Sequence, residues 1–98
     1  MTRELALEWA PHQIRVNAIA PGWFATERIQ RSFTAQPDML RRVEEAMPLG
    51  RMGEPEELVG PVVFLASEAS SMITGQVVVV DGGALCAVAV RPAQVPLR

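Results

Sequence analysis

Catalysis and metal binding need side chains that move protons, attack or ligate, and this chain of 98 residues is sparing with them. There is one histidine, His12, and one cysteine, Cys86, with no ligand spacing around either. His12 after Pro11 therefore reads as an exposed turn residue, and Cys86 as a small hydrophobe; no metal site is expected. Ser70-Ser71 lies in no nucleophile motif. Asp81 stands beside Gly82-Gly83, where an aspartate usually bonds local backbone rather than acting as an acid. Asn17 reads as a strand residue bonding neighbouring backbone, and Glu56 and Glu57 as helix-start charges. All nine basic residues are arginine, and the chain holds neither lysine nor tyrosine. No amine–phenol acid/base pair can be assembled from these residues.

The elements around these residues follow from periodicity and punctuation. Leu5 and Trp9, four apart, put an apolar face on a helix that runs from Thr2 until Pro11 ends it. Residues 14–20 alternate as a strand at first, and Ile19 then breaks the alternation, so both faces are expected to be covered near its end. Pro21-Gly22 stops the strand. Residues 25–32 read as a loop or a short helix. Pro37 suits a first helical position and Asp38 the positive end, with Met39, Leu40, Val43 and Met47 as the apolar stripe of a helix over 37–47. Residues 49–53 form a loop with two glycines. A further helix is expected over 55–66, apolar around much of its circumference and so buried on two sides, with Pro61 tolerable only in its first turn or so. Val77-Val78-Val79-Val80 reads as a strand buried on both faces, the pattern of a parallel sheet, and Asp81-Gly82-Gly83 ends it. Residues 84–98, with Pro92 and Pro96 and no helical period, are expected to be a weakly ordered tail.

Composition narrows the classes. The apolar share of 49% suits a globular chain, and the length suits one small domain or part of a larger one. A net charge of −2 with interspersed signs and no basic stripe gives no footprint for nucleic acid. The opening Met1-Thr2-Arg3-Glu4 is no signal-peptide start, and the apolar run over 84–90 is too short to span a bilayer, so no membrane association is expected. A lone cysteine fits a reducing cytoplasm.

Three ordered segments then become specific. Arg15-Val16-Asn17-Ala18-Ile19-Ala20-Pro21-Gly22 followed by Thr26 resembles the sixth strand and following turn of a short-chain dehydrogenase/reductase. Leu49-Gly50-Arg51-Met52-Gly53-Glu54-Pro55-Glu56-Glu57-Leu58 resembles the link into that family's last large helix. Phe64 to Gly75, with Asp81-Gly82-Gly83, resembles its route into the final strand. The resemblance covers residues 2–83. It implies an α/β fold, the C-terminal fragment of a Rossmann-type doubly wound parallel sheet in strand–helices–strand order, with a variable substrate lid at about 25–47.

The resemblance also implies chemistry: hydride transfer between NAD or NADP and a small alcohol or ketone. Pro21 and Gly22 would lie under the nicotinamide, the backbone near Trp23 and Phe24 would bond it, and Thr26 would bond its carboxamide. Trp23 and Phe24 would also wall the substrate side. Thr26 has a competing role as a helix cap, and the two are compatible in different states. The family's glycine-rich pyrophosphate turn and its catalytic Ser, Tyr and Lys have no counterpart here, and Gly82-Gly83 is no substitute for the turn. The chain is therefore expected to be a truncated member, inactive alone and binding cofactor very weakly, with Met1 falling mid-helix by the family pattern. A homo-oligomer or a full-length family subunit is the expected partner. The alternatives are a non-catalytic fragment docking on a full-length relative, or a degenerate reading frame.

Overall fold

The computed structural model describes residues 1–90. They fall into two compact units: Met1–Ala20 with Glu56–Val79, and Pro21–Pro55 with the segment starting at Val80.

The first unit opens with helix α1, Thr2–Trp9. The N-terminal ammonium lies 2.6 Å from the Glu4 carboxylate and holds that carboxyl below its ordinary value of 4.5. The α-helix passes into a 3-10 turn, Ala10–His12, that contains Pro11; Ala10 is not pushed out of the helical region as expected (φ −56°, ψ −41°), and the helical run stops at Gln13, which is left-handed (φ 61°). Ala6 is the buried residue of α1, while Leu7 stays 78% exposed.

Strand β1 is Ala18–Pro21, later and shorter than the sequence pattern predicts. The reason lies in the bonding of the preceding residues. Val16 N–H donates to Thr74 Oγ1 and Gly75 N–H to Val16 O, so a side-chain hydroxyl takes the place of a backbone partner beside this stretch and the regular ladder starts only at Ala18. Asn17 takes the expected role: its Nδ2 donates to Ile73 O at 2.9 Å and its Oδ1 accepts from Gln76 N–H at 3.1 Å. Pro21 ends up inside β1, and the N–H it lacks is one the pairing does not need. β1 pairs with β2, Val77–Val80, as a parallel two-strand sheet: Ala18 N–H donates to Gln76 O and Gly22 N–H to Val80 O.

The 55–66 segment divides into a 3-10 helix, Pro55–Leu58, and helix α4, Val59–Ala66. Pro61 is the third residue of α4, where a missing N–H costs little because first-turn donors have no helical acceptor. The expectation of burial on two sides is corrected: no residue of α4 is buried, and Val59, Val62 and Val63 are each more than half exposed. The strand burial is corrected likewise, with Val77 and Val79 exposed and only Val78 and Val80 half-buried. A two-strand sheet covers too little area to enclose both faces of a valine run.

Arg15 ties this unit together. Its guanidinium donates to Ser70 Oγ (3.0 Å) and to the carbonyls of Leu65 (2.9 Å), Ser67 (3.2 Å) and Ile73 (3.2 Å). Two of those carbonyls belong to the C-terminal end of α4, where a cation also meets the negative end of the helix. Ser70 is 1% exposed.

In the second unit the ambiguous segment resolves as helix α2, Glu27–Ala35, followed by α3, Pro37–Ala46, with Pro37 at its start. The core is Phe33, Val43 and Met47, flanked by Ile29, Leu40, Met52 and Ala84. Met39, expected in the apolar stripe, points outward at 43% exposure. Helix α5 spans Ala84–Val90, where no helical period was expected. The cause is a cap rather than a stripe: Asp81 Oδ1 accepts from Gly83 N–H and Oδ2 from Leu85 N–H, each at 2.9 Å, satisfying first-turn donors that otherwise have no partner. The rest of the expected tail, 91–98, lies outside the described residues. No helix among the described residues is long and apolar enough to cross a membrane.

Candidate functional site

The sequence-predicted residues Pro21, Gly22, Trp23, Phe24 and Thr26 form one continuous turn between the end of β1 and the start of α2. Pro21, Gly22, Trp23 and Thr26 are exposed. Gly22 extends the sheet by donating to Val80 O at 2.9 Å. A Cβ on Gly22 would stand 2.8 Å from Asp81 Cβ and 2.9 Å from its Cα. Glycine is thus required here by the neighbouring backbone, whether or not a ligand approaches its other side.

The two rings part company. Trp23 is 42% exposed, and its ring sits 5.6 Å from that of Phe33, tilted by 46°. Phe24 points inward, 9% exposed, with its ring over Gly53. Its side chain therefore anchors the turn, which leaves Trp23 as the exposed ring. Phe24 also forms a one-pair parallel bridge with Gly53: Gly53 N–H donates to Trp23 O at 3.0 Å and Ala25 N–H to Gly53 O at 2.8 Å.

Thr26 is the N-cap of α2. Its Oγ1 accepts from Ile29 N–H at 3.3 Å, and its extended backbone (φ −69°, ψ 161°) is what a cap requires. A hydroxyl that accepts one bond keeps its own proton to donate. The cap and an outward donor are therefore compatible in a single conformation.

Sequence reasoning missed Gly53 and Phe33. Gly53 looked like a loop glycine, but of the two glycines in its loop only Gly50 has a positive φ (78°). The need at Gly53 is steric and comes from a residue 29 positions away, which no local pattern shows. Phe33 falls one residue beyond the segment whose type was ambiguous.

A cleft of about 420 Å³ in the same unit is lined by Gln30, Thr34, Leu40, Glu44 and Met52 and includes none of the five predicted residues except through their neighbour Ala25. In the first unit a depression of about 430 Å³ is lined by Gln13, Arg15, Glu68, Ser71 and Met72, with the Arg15 guanidinium already engaged as above. No cluster of three or more potential metal ligands occurs among the described residues.

Comparison with known proteins gives these features their setting. A family model described as enoyl-(acyl carrier protein) reductase matches residues 1–84. The 2-dehydro-3-deoxy-D-gluconate 5-dehydrogenase of Dickeya dadantii is 49% identical over 83 residues, 85% of this chain and 32% of that protein. A crystal structure of a candidate 2-deoxy-D-gluconate 3-dehydrogenase from Agrobacterium tumefaciens with bound NADP superposes with a TM-score of 0.81 at 40% identity, covering 87% of this chain and 34% of that one. A 4-hydroxyisoleucine dehydrogenase complexed with NADH gives 0.80 at 29% identity, covering 87% and 35%. The chain thus spans about a third of the length of the relatives it matches. With the β1 turn, the Gly50–Gly53 loop and the Asp81-Gly82-Gly83 end of β2 all inside the matched region, the chain belongs to the short-chain dehydrogenase/reductase family.

Proposed function

We propose that this chain forms the nicotinamide-end wall and the substrate lid of an NAD(P)-dependent oxidoreductase acting on a small alcohol or carbonyl compound. The observation that carries the reading is the turn over residues 21–26, on which Pro21, Gly22, Trp23 and Thr26 are exposed and the Thr26 hydroxyl, accepting from Ile29 N–H, can still donate. The residues fit the group: an amide-bearing aromatic ring needs a donor for its carbonyl and a surface without side-chain bulk beneath it. Bound NAD or NADP gives or accepts the hydride. Thr26 orients the carboxamide, Trp23 walls the substrate side, and α2 with α3, within residues 25–47, makes the lid. The names of the relatives favour a sugar acid or a related polyol as substrate. The lone Cys86 suits a reducing cytoplasm.

The 98-residue chain carries no Tyr and no Lys, and so cannot hold the family's Tyr–Lys acid/base pair. General acid–base catalysis is usually worth about 10²–10⁴-fold. The test is an absorbance assay for NAD(H)- and NADP(H)-linked turnover on a panel of sugar acids, polyols and ketones. No turnover is expected from the isolated chain; turnover that scales with protein through repurification would refute this. Cofactor binding should be millimolar or weaker, about 4 kcal/mol or less, because the glycine-rich pyrophosphate turn is not among these residues.

A second reading is favoured by the exposure of Val59, Val62 and Val63 on α4: a non-catalytic fragment docking on a second copy or a full-length relative. Stable association without any NAD(P)H response at residues 21–26 would select it.

A further inference from the structure

Between Gly22, held by the sheet, and Thr26, held by α2, the chain runs through Trp23, Phe24 and Ala25. The backbone bonds described for this stretch beyond Thr26 go to one residue, Gly53, on both sides of Phe24. The Phe24 ring then closes over Gly53. A Cβ there would meet Phe24 Cδ2 at 2.7 Å and Cζ at 2.9 Å, and Cε2 at a still shorter separation, which unbonded carbons do not adopt. Gly53 is not among the residues with positive φ, so what opposes an L-residue here is the ring, which would have to shift, and not the backbone angle.

We infer that Gly53 is a positioning residue for the cofactor-contacting turn: it latches Trp23–Ala25 from the loop below and thereby sets Gly22 and Thr26 at a fixed spacing. The inference rests on the reading of that turn as a nicotinamide wall. A side chain at position 53 would drive the Phe24 ring outward and stretch the two bridge bonds. Thr26 would then move relative to Gly22 while each stayed attached to its own element. The Phe33–Val43–Met47 core includes neither Phe24 nor Gly53, and touches the latched segment through the Trp23 ring on Phe33.

The experiment is amide NMR on the full 98-residue chain titrated with NADH, taking the initial slope of the shift against concentration as relative affinity. Wild type should respond at Gly22, Trp23 and Thr26. Gly53→Ala should lower the slope about tenfold, the equivalent of 1.4 kcal/mol. Phe24→Leu/Gly53→Ala should stay within about threefold of Phe24→Leu alone, because the shorter side chain leaves room for the added methyl. A purely structural role would lower the unfolding midpoint of Gly53→Ala and leave the slope of its folded fraction at the wild-type value, and that result overturns the inference. If Gly53→Ala does not fold, the comparison built on Phe24→Leu decides: a further tenfold loss on adding Gly53→Ala to it means that ring overlap is not why glycine is needed. Absence of any wild-type response at residues 21–26 refutes the nicotinamide reading itself, and the inference with it. A wild-type response that Gly53→Ala preserves refutes the inference alone.

Discussion

Replacing Arg15 by alanine removes four hydrogen bonds at once. A hydrogen bond to a charged group contributes about 1.5–3 kcal/mol net, and an acceptor left buried without a partner costs about 1–3 kcal/mol. The four do not add. They share one guanidinium, the site is only part-buried, and water reaches some of the freed carbonyls. Two bonds resist replacement most: the one to Leu65 O, the shortest at 2.9 Å, and the one to Ser70 Oγ, whose residue is 1% exposed. Counting those two gives about 3 kcal/mol for Arg15→Ala. Arg15→Lys should cost roughly half as much, since an ammonium keeps the charge at the α4 end but cannot span the fork. Ser70→Ala should cost about 1 kcal/mol, because its hydroxyl also bonds the Leu65 and Ser67 carbonyls. Urea unfolding followed by circular dichroism is the assay, run at matched protein concentrations because association shifts apparent stability. If Arg15→Ala lies within about 0.5 kcal/mol of wild type, the ordinary range for a surface substitution, the guanidinium holds nothing together.

Three further outcomes are expected. Thr26→Ala should lose about 1 kcal/mol of α2 capping, whereas Thr26→Asp should keep the cap and lose the outward donor; full NADH response in Thr26→Asp, read by amide shifts, would remove Thr26 from the site. Asp81→Ala should unwind the start of α5 at a cost of about 1–2 kcal/mol, seen as loss of helical shifts over residues 84–87; an unchanged helix would show that its own residues suffice. Burying the open half of a valine contributes about 1 kcal/mol, so Val59→Lys with Val63→Lys should weaken self-association about tenfold or more in sedimentation equilibrium, and an unchanged association constant would place the contact elsewhere.

The sequence made some of this legible and hid the rest for identifiable reasons. Pro37 and Asp38 announce α3 because first-turn preferences are local. The valine run announces β2 for the same reason, since β-branching acts within each residue. Burial is different. Val77, Val79 and the α4 valines carry the composition of covered faces, but coverage depends on what lies opposite, and two strands do not supply it. The start of β1 was misplaced because Val16 finds its partner in a threonine hydroxyl, which hydrophobic alternation does not register. Helix α5 has no helical period to show it: its cause is the Asp81 carboxylate one turn upstream, whose bonding to local backbone was expected but whose reach to Leu85 N–H, inside a helix start, was not. In the site, the order Pro21-Gly22 to Thr26 was readable, while the inward turn of Phe24 was not: it depends on Gly53, brought close by the fold alone.

The chain's two tryptophans fall one in each unit, Trp9 at 39% exposure and Trp23 at 42%, and there is no tyrosine to add its own emission. Each half of the molecule thus carries a private optical reporter. With Trp9→Phe in place, emission follows the ring tilted against Phe33 alone, and with Trp23→Phe it follows the end of α1 alone. Whether the two halves melt together or one after the other can then be read from two fluorescence curves on otherwise native material.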